Sequence, residues 1–496
     1  MGIIQKQGIQ NTIITYFGIL LGFFNLLVVQ PFLLTPQEIG LTRVLFSFAS
    51  LIAVFLPMGI ANITVKFFPL FRNESQRHHG FFGFMLLFPL VGFIIVSLFL
   101  LVFKSYFIFQ YSKESPLFSE FFDFIFPFSF ILGLATVLNV YCFSIFRSSF
   151  PSFLNEVLIR VFSIIIVSVY YLKLVTLDQF VFLFVGIYGI QTLILLIYII
   201  RVGHPSLIID WKKIKSFDLT KMLTFGFLLS FASIASLGLK YLDSIMIAGF
   251  LPLSFVGIYS IAAFIPSVIE APLNAFDKIA TTKIASSLAI NDFKEIKEIY
   301  YKSSRYMIVL GGLLFLGINI NIDYLLSFLP QEYWSGNSVV LIISVSAFFN
   351  MASGTNTSII FNSDNYKYGA IILIFLALSA FLFNLIFIPA WGINGAAFAT
   401  ALAALLYNII KVVFIKLRFN LQPFNIGSVY VLLLIFVCYF INKIIPDSKN
   451  KILNIIVHSG IITFAYTLII YKLKLIPELF DMVFEFVKTR FTKKLY

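Results

Sequence analysis

Leu33 to Ile60 read LLTPQEIGLTRVLFSFASLIAVFLPMGI, and Leu251 to Phe276 read LPLSFVGIYSIAAFIPSVIEAPLNAF. Gly40 in the first stretch answers Gly257 in the second, and further on at the same offset Lys66 answers Lys283. A second match falls at nearly the same spacing: SIFRSSF at Ser144 to Phe150 pairs with SIIFNSDN at Ser358 to Asn365. The chain reads as a duplication. Both quoted stretches are apolar over the roughly 20 residues that cross a bilayer. The second lies within Leu219 to Lys283, two long apolar segments that hold Lys240, Asp243 and Glu270. A charge at membrane depth costs about 2.5–3.5 kcal/mol, so three in one hairpin point to a polar cavity.

Composition sets the class. Of 496 residues, 60% are hydrophobic, 63 are Phe and only 11% are charged, more apolar surface than a soluble domain of this length can hide. Cys142 and Cys438 both lie inside apolar runs and offer neither a disulfide framework nor a metal site. The N-terminus, MGIIQKQGIQNTIITYFGILLGFF, has no small-residue cleavage site behind its apolar run and reads as an uncleaved first span. Lys at position 6 removes the myristoylation motif that Gly2 suggests.

A window of about 19 residues finds about fourteen spans. They cover residues 9–31, 39–61, 80–103, 118–146, 153–172, 178–200, 221–247, 253–276, 305–328, 338–361, 368–389, 392–415, 425–445 and 452–472. With the N-terminus inside, about 25 basic residues fall in cytoplasmic segments and about 6 in external loops, as the positive-inside rule requires. Both termini are then cytoplasmic. This topology explains the net charge of +13, and the dispersed basic residues need no nucleic-acid partner.

An offset of about 215 residues spans six helices, an even number, so the halves are parallel repeats related by an axis along the membrane normal. The expected architecture is an all-α polytopic membrane protein with two parallel six-helix lobes and two extra C-terminal helices. The N-lobe takes residues 1–203, a basic cytoplasmic linker 204–220, the C-lobe 221–420, spans thirteen and fourteen 421–475, and an amphipathic cytoplasmic tail 476–496. A central cleft between such lobes is the usual place for a transported substrate, which favours a carrier. An enzyme is disfavoured: there is no His-Glu-x-x-His, nucleophile elbow, Cys/His cluster or phosphate-cradling glycine loop. Adjacent His78 and His79 point to different sides of any regular element and suit an exposed loop better than a metal.

GIQNTIITYFGILLGFF at Gly8, the Leu33 to Ile60 stretch, KYLDSIMIAGFLPLSFVGIYSIAAFI at Lys240 and NLIFIPAWGINGAAFATALAALL at Asn384 together carry a resemblance. They resemble the polysaccharide-exporter branch of the multidrug/oligosaccharidyl-lipid/polysaccharide superfamily, with Wzx-type flippases of lipid-linked oligosaccharides the nearest likeness. The most specific parts are IP-x-x-G-x-x-GAA at Ile388 to Ala397 and the spacing of Asp243, Gly257 and Tyr259. The resemblance covers spans one to twelve. It implies a MATE-like fold in a bacterial inner or plasma membrane. The implied substrate is an oligosaccharide joined by pyrophosphate to a polyprenol, moved outward for surface polysaccharide such as the O-antigen of lipopolysaccharide. The implied partners are that substrate, membrane lipids and the polysaccharide polymerase and assembly machinery.

A pyrophosphate headgroup calls for Arg or Lys in a partly dehydrated cavity. The candidates are Arg43 in span two, Lys66 at its inner end, Arg160 in span five, Lys240 in span seven and Lys283 beyond span eight. The resemblance lines the cleft with spans one, two, seven and eight and so assigns Arg43 and Lys240 together. Each has a plainer role. Arg43 suits snorkelling to the outer interface, Lys240 a pair with Asp243, Lys66 and Lys283 the cytoplasmic boundary, and Arg160 a pair with Glu156 one turn earlier. Polar residues of span one, Asn11, Thr12, Thr15, Asn25 and Gln30, suit sugar hydroxyls or helix packing.

No organic cofactor or metal is called for. With the interior negative, each negative charge carried outward gains about 2.3 kcal/mol per 100 mV, so the potential alone drives a divalent headgroup. The alternative is exchange for a proton or Na⁺, with Glu270 and Asp243 as the coupling carboxylates. Two rival substrates fit the same fold. A cation-coupled drug antiporter of the MATE type is expected to carry a carboxylate in span one, and Met1 to Gln30 has none. A lipid II flippase shares the fourteen spans but carries an Arg-Asp pair in the first span that is absent here. Two cytoplasmic segments, Ile284 to Arg305 and Leu479 to Phe491, suit amphipathic helices on an anionic leaflet.

Overall fold

A computed structural model describes residues 3–478, and among them the only regular structure is helical. Every apolar stretch expected to span the membrane is helical over most of its length, which meets the requirement that backbone polar groups be satisfied within a segment inside lipid. The chain is a multi-pass membrane protein. The segment from Leu479 to Phe491, expected to be amphipathic, lies outside the described residues.

The helices used below are α1 (Ile3–Phe24), α2 (Pro36–Ala53), α3 (Ile60–Phe71), α4 (Phe81–Ser112), α5 (Ile125–Ser144), α6 (Ile159–Tyr171), α7 (Leu177–Gly203) and α8 (Leu219–Phe250). They continue as α9 (Leu253–Phe264), α10 (Ser267–Ala289), α11 (Phe293–Asn319), α12 (Asn337–Ala352), α13 (Asn356–Asn362), α14 (Tyr366–Phe419), α15 (Ile426–Asn442) and α16 (Lys451–Lys472). Their starts follow from sequence. Thr35 caps α2 in a reciprocal box with Glu38, with Pro36 at the first helical position, and Thr176 with Gln179 does the same for α7. Asp218 and Asp292 cap α8 and α11. Each such cap is worth about 1 kcal/mol.

Two compact units form, residues 1–261 and 262–496. The core of the first is aromatic: Phe68 and Phe82 meet Tyr141 at 5.6 and 4.8 Å between ring centroids, and Phe71 meets Phe81 at 4.8 Å. α4 turns Phe99, Val102 and Phe109 outward, as a lipid-facing helix does. In the second unit α15 and α16 pack on α11 through Leu316, Ile435, Ile462 and Tyr466, whose hydroxyl donates to the Val309 carbonyl at 2.9 Å. The two C-terminal helices are thus anchored on α11.

Three departures from regular spans matter. Span two is broken: α2 ends, a turn follows, and α3 restarts behind Gly59 at φ +84°. Any Cβ there would meet the backbone of Gly226 on α8, so glycine answers both the left-handed conformation and the close approach. Span eight is likewise split into α9 and α10 at Ile265 and Pro266. Lys66 and Lys283 therefore sit on the second halves of two broken helices. Finally, α14 joins spans eleven and twelve in one run of 54 residues that reverses at Gly392 (φ 60°, ψ −136°). Tyr368 near its start meets Phe414 near its end at 5.5 Å, which shows the run to be a hairpin.

The duplicated glycines meet each other. A Cβ on Gly40 would strike the Leu253 carbonyl, and one on Gly257 would strike the Pro36 carbonyl. Pro36 and Leu253 stand at the same offset as Gly40 and Gly257, so the contact between α2 and α9 is reciprocal.

Candidate functional site

The first unit forms an open cavity of about 530 Å³ walled by α2, α3, α5, α7, α8 and the start of α6 with the turn before it. Its wall carries a row of amides. Gln191 on α7 donates to Asn155 at 2.8 Å, and Asn155 donates to Asn139 on α5 at 3.0 Å. Gln191 is 1% exposed, so its amide is buried at the end of the row. Asn155 lies in a π-helical turn, Leu154–Leu158, where the widened backbone aims its side chain away from the ordinary helical register. A row of amides presents both donors and acceptors, the pattern that hydroxyl-rich ligands require.

An aromatic group forms another side. Phe46 on α2 meets Tyr188 on α7 at 5.5 Å and Tyr241 on α8 at 5.8 Å. Lys240 lines the cavity with its ammonium 5.4 Å from the Tyr241 ring centroid, and it forms no ion pair among the described residues. The wall includes Ser50, Asn62, Thr136 and Ser230 and no carboxylate among the described residues.

Arg43 and Arg160 stand behind this wall, and both act electrostatically on Tyr188. Arg43 donates to Gln30 at 3.2 Å, while its Nε is buried with no hydrogen-bond partner. Arg160 is held more tightly, with an ion pair to Glu156 at 2.8 Å and a bond to the Glu156 carbonyl, its guanidinium lying against Gly18 and Gly22 of α1. Lys66 is exposed and stacks on Phe225 at 4.0 Å. Lys283 pairs with Glu295 at 2.7 Å in the second unit. Asp243 accepts the Tyr259 hydroxyl, and Glu270 accepts from Asn350 at 2.8 Å.

The polar residues of span one serve packing where partners are defined. Asn11 donates to Ser148, Asn25 to Ser163, and Gln30 accepts from Arg43. The adjacent histidines part company: His78 accepts the Asn73 amide, and His79 faces Asp210 at 3.4 Å. No cluster able to hold a metal ion occurs among the described residues. Sequence reasoning passed over Asn139, Asn155 and Gln191, each a lone polar residue in a different apolar run.

The architecture is a polytopic all-helical fold, similar to that of the flippase MurJ and the MATE transporters. The lipid II flippase MurJ in its inward closed conformation superposes with a TM-score of 0.69 at 14% identity, over 94% of this chain and 99% of that chain. An inward-facing multidrug resistance MATE family transporter of the MOP superfamily gives 0.61 at 12% identity, over 81% and 94%. The Vibrio cholerae MATE transporter VcmN in the bent form gives 0.51 at 12% identity, over 84% and 98%. At these identities the likeness is one of fold. No protein-family model matches the chain, and no curated protein matches it.

Proposed function

We propose that the chain is a flippase that carries a polyprenyl-pyrophosphate-linked oligosaccharide from the cytoplasmic to the outer leaflet by alternating access. The observation that carries this reading is the cavity of the first unit, where one face offers Lys240 and the amide row to a ligand and no carboxylate opposes it. A cationic drug would meet an ammonium there, whereas a pyrophosphate would gain a charge-assisted contact of about 1.5–3 kcal/mol. Amides suit the sugars. The free Nε of Arg43 makes it the second cation of the reading, reached through a side-chain shift. Lys66, Lys283 and Arg160, already engaged with Phe225, Glu295 and Glu156, serve entry and structure. Energy comes from the membrane potential or from an ion moving inward against the substrate, with Glu270 and Asp243 as the coupling carboxylates.

The likeness to MurJ favours one further reading, transport of lipid II, which presents the same pyrophosphate and prenyl chemistry. Complementation separates the two. In a bacterial strain lacking its oligosaccharide flippase, the chain is expected to restore surface polysaccharide, and in a strain depleted of its lipid II flippase it is expected not to restore growth. Loss of the chain from its own host is expected to strand lipid-linked oligosaccharide on the cytoplasmic face. Arg43→Ala with Lys240→Ala, at unchanged expression, is expected to abolish the rescue. Polysaccharide export that survives both substitutions refutes the cationic cavity.

A further inference from the structure

Outside the cavity, the backbone is most unusual in the turn between α3 and α4. Arg77, His78 and His79 stand at φ 48°, 56° and 54°, and Gly80 follows at 67°, four left-handed residues in a row. Side chains make such a run costly, and it persists only where the surroundings hold it. This turn grips the linker between α7 and α8. The Asp210 amide donates to the His79 carbonyl at 3.2 Å, and the Gly83 amide donates to the Ser206 carbonyl at 3.3 Å. A Cβ on Gly80 would strike the Ile208 carbonyl and one on Gly83 the Leu207 carbonyl, so the linker backbone lies directly on the first turn of α4. His78 braces the turn by accepting the Asn73 amide at 3.1 Å, and His79 Nδ1 lies 3.4 Å from Asp210 Oδ2. All these groups belong to the first unit.

Gripped on this side, the linker turns Leu207 and Ile208 outward. They are 67% and 85% exposed, and Ile208 is more exposed than any other large apolar side chain among the described residues. The short helix Trp211–Ser216 that follows buries Ile214 and leaves Trp211, Lys212 and Lys215 exposed. Both carboxylates of the linker are occupied at helix starts: Asp210 accepts the Lys213 amide at 3.1 Å, and Asp218 accepts the Lys221 amide at 3.0 Å and pairs with the Lys221 ammonium at 3.3 Å. Lys212 and Lys215 form no ion pair among the described residues. The level of this tip follows from α4. That helix has 32 residues, about 48 Å at 1.5 Å per residue against about 40–45 Å for a whole bilayer, so its first turn lies in the headgroup layer. Unpaired lysines set beside apolar side chains and a tryptophan match an anionic leaflet at that depth, which supplies phosphates for the first and acyl chains for the rest. We propose that Leu207, Ile208, Lys212 and Lys215 form an interfacial anchor, held at headgroup depth by the left-handed turn, that binds anionic glycerophospholipid of the phosphatidylglycerol class in the adjoining leaflet. The anchor is independent of the cargo.

Trp211 serves as the reporter. In the full chain carrying Trp334→Phe and Trp391→Phe it is the sole tryptophan. The chain is placed in phosphatidylcholine nanodiscs in which a rising fraction of the lipid is acyl-brominated phosphatidylglycerol or, in parallel, acyl-brominated phosphatidylcholine. One lysine near an anionic surface confers about a fivefold preference, so brominated phosphatidylglycerol is expected to half-quench Trp211 at about a fifth of the mole fraction that brominated phosphatidylcholine needs. Lys212→Gln with Lys215→Gln is expected to bring the two curves together. Leu207→Ser with Ile208→Ser is expected to weaken quenching by both lipids and to admit aqueous iodide. Coincident curves with the native lysines overturn the proposal. So does quenching by iodide and by neither lipid, and so does shielding from lipid and iodide alike, the result that a protein partner on the tip would give. Hydrogen exchange of the wild-type chain needs no substitution: at residues 206–213 it is expected to slow about fivefold when phosphatidylglycerol replaces part of the phosphatidylcholine, and equal rates refute the anchor.

Discussion

The reciprocal glycine contact between α2 and α9 makes a quantitative prediction. In Gly40→Ala the new methyl group meets the Leu253 carbonyl, and in Gly257→Ala it meets the Pro36 carbonyl. Neither obstacle is a side chain that can rotate away, so the two helices must part by about 1 Å in either variant, at the roughly 1–3 kcal/mol typical of overpacking. Once parted, they accommodate the second methyl group at little extra cost. The double variant is therefore expected to fall short of the sum of the singles by at least about 1 kcal/mol, the coupling found for residues that share one contact. Cys142, fully buried in the same unit, gives the assay. In a Cys438→Ala background, the rate at which a membrane-permeant maleimide labels Cys142 follows the opening of that unit. Each single substitution is expected to accelerate labelling about 5- to 150-fold, and the double to fall at least about fivefold short of the product of the two. Unchanged single variants, or rates that simply multiply, would refute the reasoning.

Asn155→Leu strands Gln191 and Asn139, a loss of about 1–3 kcal/mol when dry, which water in a cavity this size reduces. Protein abundance is expected to stay within about twofold while polysaccharide export falls about tenfold, measured on the same cells. Gly392→Ala forces a side chain into a backbone conformation open only to glycine; it is expected to cost about 1–3 kcal/mol and to lower the melting temperature of the purified chain. Asp210 caps the short helix Trp211–Ser216, and the Lys213 amide holds its carboxyl below the ordinary value of 3.8. The depressed value means that this stabilisation is complete above 3.8 and disappears as pH falls through the folded value. Hydrogen exchange at residues 211–216 is expected to accelerate in that acid window, and Asp210→Asn, which keeps the cap without the charge, to remove the step.

The apolar runs, their capping residues and the glycine echo were all readable because each is a local pattern or a repeat of one. The all-helical, multi-span architecture followed from them, and the MATE-like fold was what the family resemblance implied. The helix breaks were partly written in Pro57, Gly59 and Pro266, yet apolar residues flank them so closely that the sequence reads as one continuous span. The π-helical turn that aims Asn155 leaves no mark, since the extra residue is accommodated by neighbouring helices. Asn139, Asn155 and Gln191 become a group only when three helices close on one cavity. Lys411 was masked by position: it stands near Lys416 and Arg418 and reads as a residue of the membrane boundary, whereas it is buried with its ammonium held by Thr357 of α13.

The hairpin of α14 bears on how the chain is made. Spans eleven and twelve have no loop between them: the chain reverses within a residue or so of Gly392, where the missing side chain of Gly395 lets it lie against the Phe387 carbonyl. There is no hydrophilic link to be threaded across the bilayer ahead of the second span. The pair is therefore expected to enter the membrane as one helical hairpin, with Lys367 at one foot and Lys416 and Arg418 at the other favouring the side of synthesis for both. A tag or protease site placed at the tip would separate two spans that the translocation machinery receives together, and such insertions should be lost during biogenesis before transport is ever at issue.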